Sequence, residues 1–390
     1  MLRALYSAIS GLRSHQTMLD VTGNNIANVN TTGFKASATM FQDTLSQLTQ
    51  GASGPQAEAG GSNPAQIGLG VQVAAIQTNF SQGSAQATGR ATDMMISGDG
   101  FFVVKSGGED LYTRAGSFSF DSAGRLVTSD GSLVQGWTAS GGVVPTNPGA
   151  IGAITLPQNM VSPSAATTSV TMSGNLPSDA ATGTTLTRDV DVYDAMGNSR
   201  TLSMTFEKTA AGWDVDSADG ADTGSTALVF DDGILDTGGS MTIGDITVDF
   251  TGVTSYAGLK TVEAARQDGR EPGSLQSFSL AKDGTLVGSF SNGSTQAIAK
   301  LALATFVNPG GLEKAGGSTY RTSINSGDVK IGIAGSDGVG SLMGGALEMS
   351  NVDLSQEFTN LIVAQRGFQA NARIITTSDE VLQELTNLKR

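Results

Sequence analysis

Apolar residues recur at every seventh position at the two ends of this chain and nowhere between them. Leu5, Leu12, Leu19 and Ile26 form one series; Leu354, Leu361, Phe368, Ile375 and Leu382 form the other, widened by Phe358, Ile362 and Leu385. A seven-residue repeat keeps an apolar seam on one side of a gently supercoiled helix, so each end is expected to be a helix lying along another. The companion seam is weak: Ala8, His15 and Thr22 in the first series, Ala364, Asn371 and Ser378 in the second. A narrow stripe beside small or polar residues suits close packing in a crowded bundle better than a self-sufficient dimer. The plainer alternative, two ordinary amphipathic helices each covering a face of a domain, is weakened by their position. Helices at opposite chain ends are neighbours only if everything between them loops out from one stalk.

What lies between reads as β structure. Phe101–Val104 follows the turn Ser97–Gly100, and Phe118 and Phe120 alternate with serines before the turn Asp121–Gly124 and Leu126–Val127. The pattern returns at Phe278–Leu280, the turn Lys282–Gly284 and Leu286–Val287, with another turn at Ser291–Gly293. Val190–Tyr193, the turn Asp194–Asn198, and then Leu202, Met204 and Phe206 make a further unit. Gly after Asn or Asp between short β-prone runs signals hairpins, because these residues tolerate positive φ. Such turns, with one Gly-rich connector, are expected to hold most of the glycine excess of a chain with 52 glycines in 390 residues. The stretch at about 50–70, rich in Gly, Pro, Ser and Ala without periodicity, reads as an extended connector and not as a packed element. No fixed-period repeat is present, which argues against solenoids and propellers.

Charge separates the middle of the chain from the rest. Residues 144–271 hold 17 acids and 6 bases, against 9 and 7 in residues 1–143 and 10 and 9 in residues 272–390. A segment carrying nearly all the net charge of -14 is expected to be a distinct, outward-facing domain. The expected architecture is therefore a mostly β multidomain protein: two nested β domains, with N- and C-terminal helices forming a coiled-coil-like stalk. Residues 1–40 and 350–390 are assigned to the terminal helical part and 41–75 to the connector. Residues 76–143 and 272–349 form a discontinuous inner β domain, and 144–271 an acidic outer β domain inserted within it.

The same composition removes most chemistries. With no cysteine there are no disulfides, thiolate metal sites or cysteine nucleophiles. One histidine, His15, excludes any site needing a His pair, and it is expected to be a packing or helix-surface residue. No Gly-x-Ser-x-Gly elbow and no Gly-Lys-Ser/Thr phosphate loop occurs. Asp214, Asp216, Asp219 and Asp222 cluster around Gly220, but in a calcium loop starting at Asp214 Ala218 stands where an oxygen ligand is needed and Ser225 where a bidentate Glu is needed. A solvated acidic turn is the expectation there. The acidic balance argues against nucleic acid, which demands clustered Lys and Arg. No run reaches the ~18 apolar residues of a membrane span. Arg13, His15 and Asp20 interrupt the apolar N-terminus, so no removable secretory signal is expected. No enzyme activity, cofactor or metal is expected.

One stretch is specific as a pattern. Asn24, Asn25, Asn28 and Asn30, with Gly23 and Gly33, are expected to close the first helix, since Asn and Gly accept left-handed geometry and cap backbone groups. Ser10, Gly11 and Leu12, then Leu19-Asp-Val, then Asn24, Asn25, Ile26, Ala27, Asn28, Asn30, Thr31, Gly33, Phe34 and Lys35 resemble the N-terminal signature of the bacterial flagellar axial proteins, the rod, hook and hook-associated subunits. Ile96–Val104, Tyr112–Phe118 and the run 345–390 are further matches, and the likeness is weakest across about 144–260. Within the family the C-terminal run is most similar to the hook branch.

The resemblance implies a structural subunit that polymerises into a curved, flexible tube, a universal joint transmitting motor torque to the filament. It implies terminal helices lining a central channel, with Leu5, Leu12, Leu19, Ile26, Leu354, Leu361, Phe368, Ile375 and Leu382 as the polymerisation seam. The implied partners are other copies of the chain, the flagellar rod, the hook cap, the hook-filament junction proteins and the export apparatus. The implied location is the extracellular flagellum, reached through that apparatus. The alternative within the family is a distal rod subunit, and the alternative from another class is a β-rich secreted adhesin or enzyme domain.

Overall fold

The computed structural model describes residues 2–55, 60–139, 142–145, 149–156, 160–220, 222–336 and 338–387. The protein is mostly β, with one long helix at each end: α1, Leu2–Ala27, and α2, Leu354–Asn387. By compactness the chain divides into two units. The first gathers Met1–Leu156, Ser279–Val287 and Ala297–Arg390; the second gathers Pro157–Phe278 and Gly288–Gln296.

In the first unit an antiparallel sheet is centred on Phe101–Ser106, which pairs with Leu133–Thr138 on one side and Glu109–Thr113 on the other. Thr319–Arg321 and then Glu313–Gly316 extend it beyond Glu109–Thr113. Phe101, Val103, Tyr112, Trp137, Ala302, Ala304 and Tyr320 pack into one buried cluster. Phe102 and Phe118 meet edge-to-face, with ring centroids 5.1 Å apart, in a geometry aromatic quadrupoles favour.

Helix α2 starts cleanly because Asp353 accepts from the backbone N–H groups of Ser355 (2.9 Å) and Gln356 (3.2 Å), which have no partner inside the helix. Helix α1 ends differently from expectation. It runs through Gly23, Asn24 and Asn25, and of the expected closing residues Asn28, Asn30 and Gly33 lie in the turns beyond it. Asn28 N–H and Nδ2 both donate to Asn24 O, at 3.2 and 3.0 Å, so part of the Asn cluster does cap the helix.

The segment expected to be a lone connector is doubled back on itself. Ser37–Asp43 pairs antiparallel with Val71–Thr78, and Ser46–Gln50 with Ala65–Gly68. The β-prone residues Phe41, Leu48, Ile67, Val71, Val73 and Ile76 flank the Gly- and Pro-rich stretch and give each arm a partner, so the turn-rich centre joins a ribbon. Residues 56–59, also part of the expected connector, lie outside the described residues.

The second unit holds a nine-stranded sheet in the order Thr185–Tyr193, Ser199–Lys208, Trp213–Asp219, Asp222–Asp231, Ile234–Thr237, Ile246–Thr254, Ser169–Asn175, Glu263–Gln267, with Ser240–Ile243 beside Ile246–Thr254. Among the described residues of this sheet, Ser169–Asn175 against Ile246–Thr254 is the one parallel pairing. Strict alternation fills its core: Trp213, Val215, Leu202, Met204, Phe206, Val248 and Phe250 are fully enclosed. The acidic cluster is a turn only in part: Asp219 and Asp222 close the hairpin at Gly220, as expected, while the other two acids lie on the strand leading into it. Asp214 and Asp216 are the outward positions of a strand whose Trp213, Val215 and Ser217 point in, and buried Asp219 pairs with Arg200 at 3.1 Å.

Candidate functional site

Helices α1 and α2 pack along each other, and their interface inverts the emphasis of the seven-residue pattern. The enclosed residues of α1 are Ala8, Gly11, Ser14, Thr22 and Asn25; Leu5, Leu12, Leu19 and Ile26 are only half-buried. On α2, Ala364 alone is buried. Leu361, Phe368, Ile375 and Leu382 are half-buried, and Leu354 is 39% exposed. Phe358, Ile362 and Leu385, expected to widen the seam, stand 49, 56 and 52% exposed.

Small residues let the backbones approach. A Cβ on Gly11 would lie 2.9 Å from the Asn371 side chain, and one on Gly367 would lie 2.5 Å from the His15 ring. His15 is a packing residue, set against Gly367 and edge-on to Phe41 at 5.8 Å. Ser10, from the signature, accepts from Val71 N–H at 3.2 Å and holds the ribbon to α1. Asn25 works both ways: its Nδ2 donates to Ser37 O (2.7 Å) and Glu357 Oε1 (3.1 Å), and its Oδ1 accepts from Ser37 N–H. One amide thus ties α1, the ribbon and α2.

Below the helices the two chain ends meet the β sheet at a buried ionic cluster. Lys35 Nζ donates to Glu348 Oε1 at 2.6 Å and to Ser81 O at 2.7 Å. Arg114 Nη1 donates to Glu348 Oε2 at 3.4 Å, and Gly83 N–H to Oε1 at 2.9 Å. Lys35 and Glu348 are wholly buried and Arg114 nearly so. Burial pushes the Lys35 ammonium below the usual lysine range; Glu348 opposes that fall and Arg114 adds to it. Burial likewise lowers Arg114, whose guanidinium lies 5.4 Å from the centroid of the Phe101 ring. Tyr320, desolvated beside them, is raised to about 12.

The backbone follows the same seams. Gly33 donates to Glu348 O at 2.8 Å with φ +67°, and a Cβ there would fall 2.4 Å from Ala115 N, so only glycine fits. Asn351 accepts from Ala36 N–H (2.8 Å) and donates to Asn79 O (2.8 Å). Phe34 lies beneath Lys314, 5.1 Å from its ammonium. Asn30, by contrast, is exposed.

Sequence reasoning singled out Lys35 but passed over Glu348, Asn351 and Glu357. The available signal was a lone acid between small and apolar neighbours in Gly345-Ala-Leu-Glu-Met, a place where an unpaired carboxylate would be costly. Among the described residues no group of three His, Cys, Asp or Glu could hold a metal ion, and no helix is long and apolar enough to cross a membrane.

The regions that meet here are those matched by known families. Residues 5–35 match the model "Flagella basal body rod protein", 95–176 match "Flagellar hook protein FlgE/F/G D1 domain", and 343–388 match "Flagellar basal body rod FlgEFG protein C-terminal". The flagellar hook protein FlgE of Borreliella burgdorferi is 38% identical over 442 aligned residues, covering all of both chains. The Treponema pallidum flagellar hook protein FlgE is 38% identical over 465, again covering both fully. The flagellar basal-body rod protein FlgG of Bacillus subtilis is 35% identical over 391, with both chains fully covered. Similarity along the whole chain, with family matches at both ends and across the sheet between them, places this chain in the flagellar hook and rod protein family, as a structural subunit of the flagellar axis.

Proposed function

We propose that the chain is a hook subunit, which polymerises with copies of itself into a curved, flexible tube that passes motor torque to the filament. The observation that carries this reading is the outward face of the chain ends. Phe358, Ile362, Val363 and Val381 on α2, with Leu45 and Leu48 on the ribbon, present large apolar side chains to solvent. A single chain gains nothing from that exposure, whereas neighbouring copies in a tube would cover it. The half-buried leucine seam then serves contacts between copies, and the small residues serve the contact within one copy.

The work is mechanical, with no enzyme activity and no cofactor. The further partners are the rod, the hook cap, the hook-filament junction proteins and the export apparatus, and the location is the extracellular flagellum. The full-length identity to a rod protein favours one second reading, a distal rod subunit. Electron microscopy of the purified chain at high concentration distinguishes them. Curved tubes support the hook reading, straight tubes the rod reading, and absence of tubes contradicts both.

A further inference from the structure

We propose that Glu348, Lys35 and Arg114 form an electrostatic latch that makes the seating of the two chain ends mutually dependent, so that the first unit holds both terminal segments or neither. The residues come from three distant places: Lys35 beyond α1, Arg114 directly after the strand Glu109–Thr113, and Glu348 at the end of the strand Ala346–Glu348 that precedes α2. Each segment supplies what the others lack. Glu348, buried without a cation, would be an uncompensated charge, and so would Lys35 or Arg114 without Glu348. The backbone has the same reciprocity. Gly33 N–H finds its acceptor on Glu348 and Ala36 N–H finds its acceptor on Asn351, so an N-terminal segment seated alone leaves both donors unsatisfied. In the other direction, Asn351 Nδ2 finds its acceptors at Asn79 and Ser81, in the segment after the strand Val71–Thr78 that Lys35 also grips through Ser81 O.

The cluster is also unequal, which makes the latch distinguishable from ordinary packing. It has two cations and one carboxylate, so Glu348 is the member with no substitute. Without Lys35, the Arg114–Glu348 pair remains neutral. Without Glu348, two buried cations face each other, with Asp99 near Arg114 as partial compensation. Removing Lys35 from a chain that already lacks Glu348 therefore removes a repulsion.

The test uses the full-length chain in three forms, Glu348→Gln, Lys35→Met and the double variant, read by hydrogen–deuterium exchange at residues 33–37 and 346–351. It does not depend on tube formation, so it stands apart from the hook reading. Glu348→Gln should raise exchange at both segments together by tenfold or more. Lys35→Met should raise it less, and the double variant should exchange more slowly than Glu348→Gln alone. Trp137 emission reports whether the sheet remains folded. If Glu348→Gln unfolds the sheet outright, recovery of the emission in the double variant supports the latch and failure to recover overturns it. Opening of one segment without the other, or effects of the two substitutions that simply add, would also overturn it.

Discussion

The strand Trp213–Asp219 and helix α2 both carry apolar residues at regular spacing, yet they treat them in opposite ways. The strand hides Trp213 and Val215 completely and turns Asp214 and Asp216 to solvent. The helix, 34 residues long, buries Ala364 alone and leaves Phe358 and Ile362 about half exposed. Full burial of such a side chain stabilises by roughly 1.5–3 kcal/mol, so α2 forgoes several kcal/mol that the sheet secures. A helix that leaves its apolar side chains uncovered is marginal by itself, because most helical stability in proteins comes from packing. The sheet encloses its core within one chain, whereas on the hook reading proposed above the terminal helices gain their cover from neighbouring copies.

The harshest way to press this contrast is to remove the helices. A chain lacking residues 1–35 and 350–390 should remain soluble and β-folded by circular dichroism, yet form no tubes. A truncated chain that still polymerised would break the contrast outright.

Point changes should separate the regions almost as sharply. Phe358→Asp is expected to raise the concentration needed for assembly at least a hundredfold, as measured by sedimentation, while shifting monomer stability by no more than about 0.5 kcal/mol. Phe206→Ala, in the enclosed sheet, should do the reverse. It should cost about 3–5 kcal/mol in denaturant unfolding followed by Trp213 emission, and leave assembly intact below the melting temperature.

A smaller effect is expected between the helices. Gly367→Ala places a methyl against the His15 ring and should cost about 1–3 kcal/mol, with His15→Ala in the same chain returning part of that loss.

The smallest effect is in pH. Burial opposes ionisation of Asp268, but bonds from the Thr168 hydroxyl and the N–H groups of Ser169 and Thr168 outweigh it and hold the carboxyl at about 2, against an ordinary 3.8. Between those values the unfolded chain binds the proton and the folded one does not, so the second unit should lose stability as pH falls from about 4 to about 2. Tyr320, at about 12 against 10.0, works at the other end. The folded state keeps a proton that the unfolded state releases, so the first unit should weaken as pH rises from about 10 to about 12. Lys35, lowered by burial, acts oppositely and adds stability as pH rises toward its ordinary 10.5. Trp137 and Trp213, one in each unit, report the two titrations separately.

Much of this was legible from spacing alone. Seven-residue periodicity located α1 and α2, and Asp with Gly one to three residues later, between β-prone runs, located the turns Asp121–Gly124, Asp194–Asn198 and Lys282–Gly284, because both signals depend on neighbours within one element. The ribbon was not legible in the same way. Its arms pair residues such as Ser37 and Thr78, which local periodicity does not link, while the Gly- and Pro-rich centre dominates any short window. The ionic cluster was harder still. Lys35 stands out only as part of the N-terminal signature and Glu348 only as a lone acid among small and apolar neighbours; their link to each other and to Arg114 exists only once three distant segments converge. The companion seam with Ala8 and Ala364 pointed to close packing, but Gly11 and Gly367, where the helix backbones approach most tightly, register as gaps in a pattern dominated by leucines.

On the hook reading the terminal helices are unfinished in one chain and finished in an assembly. Hydrogen–deuterium exchange across residues 2–27 and 354–387, compared between monomer and assembled protein, tests it most directly. The expected result is fast exchange of both helices in the monomer and strong protection on assembly, with the sheet around Trp213 protected equally in both states. Helices already protected in the monomer to the level of that sheet would contradict the claim.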